Sequence, residues 1–62
     1  MNRLKEERIK KGVTQKQVAE SVKLSLSMIQ KIEGGHKKAG DDTKKRLAKY
    51  YKRTVGYLFY NE

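Results

Sequence analysis

The chain has 62 residues and carries 16 Lys and Arg against seven Asp and Glu, a formal net charge of +9. This length predicts one domain over residues 1–62, without room for separate catalytic and effector domains. The lack of Cys excludes a disulfide scaffold and a thiolate zinc site, and no apolar run approaches the roughly 20 residues that span a bilayer. The composition therefore predicts a cytoplasmic basic domain with an anionic partner, of which nucleic acid is the commonest large one.

Glycine residues divide the chain into short segments, and these segments predict helices because apolar–polar alternation never persists beyond a few residues. The first helix extends from about Asn2 to Lys11 and ends at Gly12. Its large apolar residues are Leu4 and Ile9, so we expect these two side chains to form a thin inner face.

A second helix is predicted over residues 15–22, with Thr14 as its N-cap. The apolar residues of this helix share one face: Val18, Ala19 and Val22. The chain then turns over residues 22–25, and Ser25 can cap the next helix. These features predict two helices joined by a tight turn.

The third helix, over residues 26–33, has a buried face and an unusual outer face. Ile29 and Ile32 lie about 60° apart on a helical wheel and define the inner side. Three side chains gather on the opposite side: Ser27, Gln30 and Lys31. Leu26 and Met28 lie on the flanks. An outer face that forms hydrogen bonds, carries one cation and has no acid suits a negatively charged surface.

A basic loop, a fourth helix and a fifth helical turn complete the chain. From Gly34 to Arg53 eight Lys and Arg stand against two acids. The fourth helix begins near Asp41 and Asp42, which suit a helix N-terminus, and continues to about Tyr51. The last turn covers residues 55–60 and has the densest apolar cluster of the chain. The prediction is an all-α bundle of five short helices.

The segment over residues 15–33 resembles the helix-turn-helix of the lambda-repressor and Cro family, also called XRE-type regulators. The resemblance rests on Gln15 at the start, a small residue at Ala19 where two helices cross closely, and apolar residues at five spaced positions. Those apolar positions are Val18, Val22, Leu24, Ile29 and Ile32. It extends from Arg3 to Phe59 and implies the family's five-helix fold.

The resemblance implies that the third helix enters the major groove of DNA and presents its first residues to base edges. Four residues match the family's base-reading positions: Leu26, Ser27, Gln30 and Lys31. Gln30 suits adenine and Lys31 suits guanine, whereas Leu26 can pack on a thymine methyl group. Alternatively, Leu26 tucks under a neighbouring helix as a core residue.

Phosphate contacts are also implied by the resemblance. Five residues match such positions: Gln15, Ser25, His36, Lys37 and Lys38. Alternatively, Ser25 acts only as an N-cap and Gln15 is a solvated residue of the first turn. About five phosphate contacts per subunit would give a salt slope near −9 for a dimer. The lysines of the fourth helix are interpreted as a solvated face that adds a long-range field.

The resemblance further implies an ion pair between Arg8 and Glu33, with two separately solvated charges as the alternative. The chain departs from the family at three positions. Lys23 and Lys52 stand where the backbone favours Gly or Asn, and Lys44 stands at a position that is usually apolar. These departures predict a marginally stable monomer that gains from dimerisation or DNA binding.

Three aromatic residues near the end of the chain are candidates for a two-fold dimer contact, as in family members: Tyr57, Phe59 and Tyr60. The alternative places the whole cluster in the core, where we assign Val55 and Leu58. Dimerisation would place two third helices about 34 Å apart and imply a palindromic operator.

The expected function is therefore a sequence-specific regulator of transcription, a small Cro-like repressor that binds double-stranded DNA as a homodimer. We expect a bacterial or phage-encoded protein at the nucleoid, with phage, plasmid, restriction–modification and toxin–antitoxin contexts all open. The residues assemble no catalytic or metal site, so we expect neither an enzyme nor a cofactor or small-molecule effector. The alternative is a helix-turn-helix used for protein–protein interaction, as in an anti-repressor or antitoxin.

Overall fold

A computed structural model describes residues 2–60 and shows five α-helices and no strand among them. The helices are α1 (Leu4–Lys11), α2 (Gln15–Val22), α3 (Leu26–Glu33), α4 (Asp41–Tyr51) and α5 (Val55–Phe59). This architecture confirms the predicted all-α fold. The expected boundaries hold as well, except that α1 begins two residues later and α5 ends one residue earlier than predicted.

Side-chain caps explain where three of the helices begin. Thr14 forms a capping box with Gln17: its Oγ1 accepts the Gln17 N–H at 3.1 Å, and Gln17 Oε1 accepts the Thr14 N–H at 2.8 Å. Ser25 Oγ accepts the Met28 N–H at 3.0 Å, and Thr54 Oγ1 accepts the Tyr57 N–H at 3.0 Å. Each cap satisfies a backbone donor that the helix itself leaves unpaired.

Left-handed residues end three helices. Gly12 ends α1 with φ 73°, which glycine adopts without steric cost. Lys23 ends α2 with φ 60° and Lys52 ends α4 with φ 56°. The two lysines therefore occupy the conformation that the family resemblance implied at these positions, and each carries the strain of a Cβ atom in that region.

The core lies where α2, α3 and α4 meet and is closed by α1 and α5. Its fully buried large side chains are Leu4, Val18, Ile29, Ile32, Leu47 and Leu58. Ala19 is 3% exposed, and its small size allows α2 and α3 to approach closely. Val55 is half-buried against this core, as expected for the last turn.

The prediction for the inner face of α1 was wrong for Ile9, which the structure places at the surface. Ile9 is 61% exposed, whereas Glu7 is buried with 5% exposure. On a helical wheel Ile9 lies about 140° from Leu4, so both cannot face the same core, while Glu7 lies about 60° from Leu4. Geometry therefore places a carboxylate where the sequence pattern suggested an apolar side chain.

The start of the chain is attached to its last helix. The Arg3 N–H donates to the Leu58 carbonyl at 2.9 Å, and Arg3 Nη1 donates to the Tyr57 carbonyl at 3.2 Å. Asn2 Nδ2 donates to the Ile32 carbonyl at 2.8 Å, which joins the same segment to α3. These bonds hold residues 2 and 3, which precede α1, against α5 and the last turn of α3.

Candidate nucleic-acid interface

The outer face of α3 is polar and exposed along its length. Ser27, Gln30 and Lys31 are all exposed, whereas Ile29 and Ile32 on the opposite side are 2% and 1% exposed. Ser25, which precedes the helix, is exposed as well as being its cap. The structure thus brings the predicted base-reading side chains to one accessible surface that contains no acid.

The two apolar flanks of α3 differ in exposure. Leu26 is 40% exposed and lies outside the buried core, so the alternative in which it tucks under a neighbouring helix is wrong. Met28 is half-buried and packs against the core. Leu26 is therefore an apolar side chain beside the polar face, in a position to contact another apolar surface.

An ion pair joins α1 to the end of α3. Arg8 Nε lies 2.9 Å from Glu33 Oε2 and 3.2 Å from Oε1, and Arg8 Nη1 donates to the Val13 carbonyl at 3.3 Å. The Glu33 side chain is 5% exposed. This is the pair that the family resemblance implied, and the separately solvated alternative does not describe it.

Gln15 shares the same carboxylate. Its Nε2 donates to Glu33 Oε1 at 3.2 Å, and the residue is half-buried rather than freely solvated. A side-chain amide has two N–H donors, so this bond leaves one that can reach a phosphate. The contact holds the first residue of α2 at a fixed position relative to the end of α3.

The loop after α3 presents three consecutive exposed residues with basic side chains: His36, Lys37 and Lys38. Gly35 has φ 77°, a conformation that favours glycine, and the His36 N–H donates to the Lys31 carbonyl at 2.9 Å. A Cβ atom at Gly34 would lie 2.8 Å from His36 Cδ2. The left-handed Gly35 therefore lets the chain reverse tightly, so that the basic loop follows α3 directly.

Apart from Glu33, the ionisable residues around α3 are all basic. Glu33 is neutralised by Arg8, and from Leu26 to Gly40 the other ionisable residues are His36 and three lysines. The lysines are Lys31, Lys37 and Lys38. A surface of this kind attracts a polyanion and offers both hydrogen-bond donors and charge.

The predicted dimer residues differ from one another in exposure. Tyr60 is 58% exposed. Phe59 is half-buried against the core, and Tyr57 is half-buried with its hydroxyl donating to Glu7 Oε2 at 3.1 Å. The Arg3 guanidinium lies 4.2 Å from the centre of the Tyr57 ring. Tyr57 is thus engaged within the subunit, and Tyr60 has the freest surface of the three.

Glu7 is the residue that sequence reasoning missed. Arg53 Nε lies 3.0 Å from Glu7 Oε1, and Lys10 Nζ lies 3.5 Å from Oε2. The hydrogen bond from Arg53 holds the pKa of Glu7 below its usual value, opposed by burial and supported by the Tyr57 hydroxyl. Helical spacing from Leu4 could have revealed this residue. Its role is to attach α1 to α5, through Tyr57, and to the turn between α4 and α5, through Arg53.

A second buried polar atom lies on α4. The Tyr51 hydroxyl is buried without a hydrogen-bond partner among the described residues. Burial, together with the nearby charge of Glu33, raises the pKa of Tyr51. Within residues 2–60 no group of His, Asp and Glu could hold a metal ion.

A family model described as helix-turn-helix matches residues 4–58, which is most of the chain. No curated protein matches. None of the helices that the structure describes is long and apolar enough to cross a membrane.

Proposed function

The chain belongs to the XRE-type, lambda repressor/Cro-like family of helix-turn-helix DNA-binding transcription regulators, and on this premise we propose that it is a small repressor. It binds a palindromic operator as a homodimer and acts without enzymatic activity, cofactor or small-molecule effector. The observation that carries this proposal is the exposed, acid-free outer face of α3, which is fixed at its far end by Arg8 and Glu33.

Base reading is assigned to this face of α3 in the major groove. Gln30 offers an amide that can bond both edge atoms of adenine, and Lys31 donates to the acceptors of guanine. Ser27 pairs with several bases, and the exposed Leu26 packs on a thymine methyl group. The buried Ile29 and Ile32 orient the helix so that these side chains point outward.

Phosphate binding is assigned to residues on both sides of α3. Ser25 lies at the N-terminus of the helix, where backbone N–H groups favour an anion, and Gln15 lies at the start of α2. The exposed loop supplies His36, Lys37 and Lys38. These contacts set the register of the protein on the duplex, whereas the base contacts determine which DNA sequence is bound.

Dimerisation is assigned to the end of α5. Tyr60 is the best candidate because it is 58% exposed, with Phe59 and the rim of Tyr57 beside it. A two-fold contact there would place the two α3 helices about one turn of DNA apart, roughly 34 Å. We place the protein in the bacterial cytoplasm at the nucleoid, encoded by the bacterium or by a phage or other mobile element.

Selection of bound fragments from a random double-stranded DNA library tests the proposal. We expect enrichment of two inverted half-sites whose centres are about 10 base pairs apart. Enrichment of a single half-site would contradict the dimer, and recovery of unenriched DNA would contradict sequence-specific reading.

A second candidate function is a protein-binding module, which the exposed apolar Leu26 favours. In that case the chain would select no fragment from genomic DNA in a gel shift that includes heparin as competitor. Retention of a specific fragment under heparin would exclude this second candidate as the main function. Because Met28 is half-buried, a protein partner on this side of α3 would meet only a small apolar surface.

A further inference from the structure

A groove of about 440 Å³ runs from the basic loop to the end of α5. Its lining combines lysines with apolar and aromatic side chains, among them Ile32, Lys37, Lys38, Ala39, Lys44, Phe59 and Tyr60. The size falls in the range of sites that accept a small molecule or a short peptide segment. The groove lies beside the basic loop and away from the exposed face of α3.

The floor of the groove is apolar. Ile32 and Ala39 belong to the buried core, and Phe59 is half-buried against it. Tyr60 forms part of the wall and is one of the three large apolar side chains that are exposed on the described part of the chain. Such a floor can accept one apolar or aromatic side chain of an occupant. A phosphate backbone has no such group.

The rim of the groove is cationic. Lys44 Nζ lies 4.9 Å from the centre of the Tyr60 ring and 5.8 Å from that of Phe59, and it also contacts the Tyr60 hydroxyl. Lys37 and Lys38 line the other side and are exposed. No acid of the described residues lines the groove. An occupant therefore meets three ammonium groups around an apolar floor.

We propose that this groove binds an acidic segment of a partner protein, in which an apolar or aromatic side chain is flanked by carboxylates. Charge complementarity carries the choice of occupant. Three lysines line the groove and no acid of the described residues does, so the charged groups that it favours in an occupant are carboxylates. Double-stranded DNA matches the charge of the rim, but its bases are stacked inside the duplex and its backbone has no apolar group that would fill the floor.

If the chain binds DNA as proposed above, a segment that occupies the groove interferes with DNA binding. Lys37 and Lys38 are assigned both to the groove and to phosphate contact, and Tyr60 is assigned to the dimer contact. The same side chains cannot bind an acidic segment and, at the same time, contact phosphates or a second subunit. The acidic segment and operator DNA therefore compete, which makes the groove a site where a partner protein releases the regulator from DNA.

The test uses the full chain and two capped, fluorescein-labelled seven-residue peptides, three Asp or Glu on each side of a central Phe or of a central Ser. Anisotropy measures affinity, and ¹⁵N-labelled protein locates the contact by NMR. We expect the Phe peptide to bind and to shift the amides of Ile32, Ala39 and Tyr60. Equal affinity of the Ser peptide, or shifts confined to residues 26–31, would overturn the proposal in favour of a general polyanion surface.

Matched lysine variants on α4 separate the groove from overall charge. Lys44→Gln should weaken the Phe peptide about fivefold, whereas Lys49→Gln, an exposed lysine on the same helix that does not line the groove, should change it less than about twofold. Equal losses in the two variants would overturn the proposal. Because these titrations contain no DNA, they test peptide binding by the groove independently of the proposed DNA-binding function. Displacement of labelled DNA by the Phe peptide then tests the competition.

Discussion

Arg8 Nε lies 2.9 Å from Glu33 Oε2, so the middle of the first helix is attached to the last residue of α3, the helix to which we assign base reading. Gln15 adds a third element by donating to the other carboxylate oxygen. One buried carboxylate therefore fixes α1, α2 and α3 relative to one another. The exposed face of α3 and the N-terminus of α2 are held as one surface for this reason.

Glu33→Gln tests the strength of this attachment. The substitution keeps the shape of the side chain but leaves the mostly buried Arg8 guanidinium without its counter-charge, so we expect a loss of about 2 kcal/mol in the free energy of unfolding. Urea denaturation measures it. Glu20→Gln, on the exposed side of α2, is the control and should stay within about 0.5 kcal/mol of the parent. Equal stability of Glu33→Gln and the control would show that the pair contributes little.

The second prediction concerns pH and Glu7. The Arg53 bond lowers the folded-state pKa of Glu7 below 4.5, so its stabilising contribution is complete above about pH 4.5 and is lost as the pH falls through the folded pKa. Glu7→Gln has no such group to titrate. We expect the free energy of unfolding, measured in urea at several pH values from 7 to 3, to fall more steeply for the parent than for Glu7→Gln. Parallel curves would refute this assignment.

The third prediction is a stabilising substitution at Tyr51. Its hydroxyl is buried without a partner among the described residues, while its ring packs edge-on against Tyr50 with centroids 4.9 Å apart. Tyr51→Phe removes the unsatisfied oxygen and keeps the ring, so the free energy of unfolding should rise by about 1 kcal/mol. Tyr50→Phe on the same helix is the control and should have a smaller effect. A loss of stability in Tyr51→Phe would show that the hydroxyl has a bonding partner in solution.

The fourth prediction concerns the left-handed lysine at the end of α4. Lys52 has φ 56°, where glycine lacks the steric cost of a Cβ atom, so Lys52→Gly should raise the free energy of unfolding by about 0.5 to 1 kcal/mol. Lys49→Gly, within the helix, should lower it by about 1 kcal/mol. Thermal denaturation of both variants checks the opposite signs. A loss in both would mean that the conformation of Lys52 carries no strain.

Most of the helical architecture could be predicted from the sequence, because its signals are local. Thr14 and Ser25 are N-caps at the expected positions, and Gly12 ends α1 where the pattern placed its end. The pairing of Arg8 with Glu33 is not local, and it was reached through resemblance to a family. Apolar periodicity also separated the buried Ile29 and Ile32 from the outer face of α3.

Other features depend on how the helices pack and could not be predicted in this way. Ile9 was expected in the core because it is apolar, yet the short α1 turns it to solvent and buries Glu7. Tyr57 was expected at a surface contact, yet its hydroxyl reaches Glu7 across 50 residues of sequence. The groove beside Lys44 likewise arises from three elements that are distant in the chain.

If α3 reads bases while the loop after it holds phosphates, as proposed, substitutions of Lys31 and Lys38 should affect DNA binding in different ways. The affinities of the parent, Lys31→Ala and Lys38→Ala are measured on a panel of duplexes that carries every single-base change of the selected operator. We expect Lys31→Ala to lose discrimination at one base pair per half-site, worth about 1 to 3 kcal/mol, whereas Lys38→Ala weakens binding to all duplexes nearly equally. The same uniform weakening in both variants would contradict this proposal.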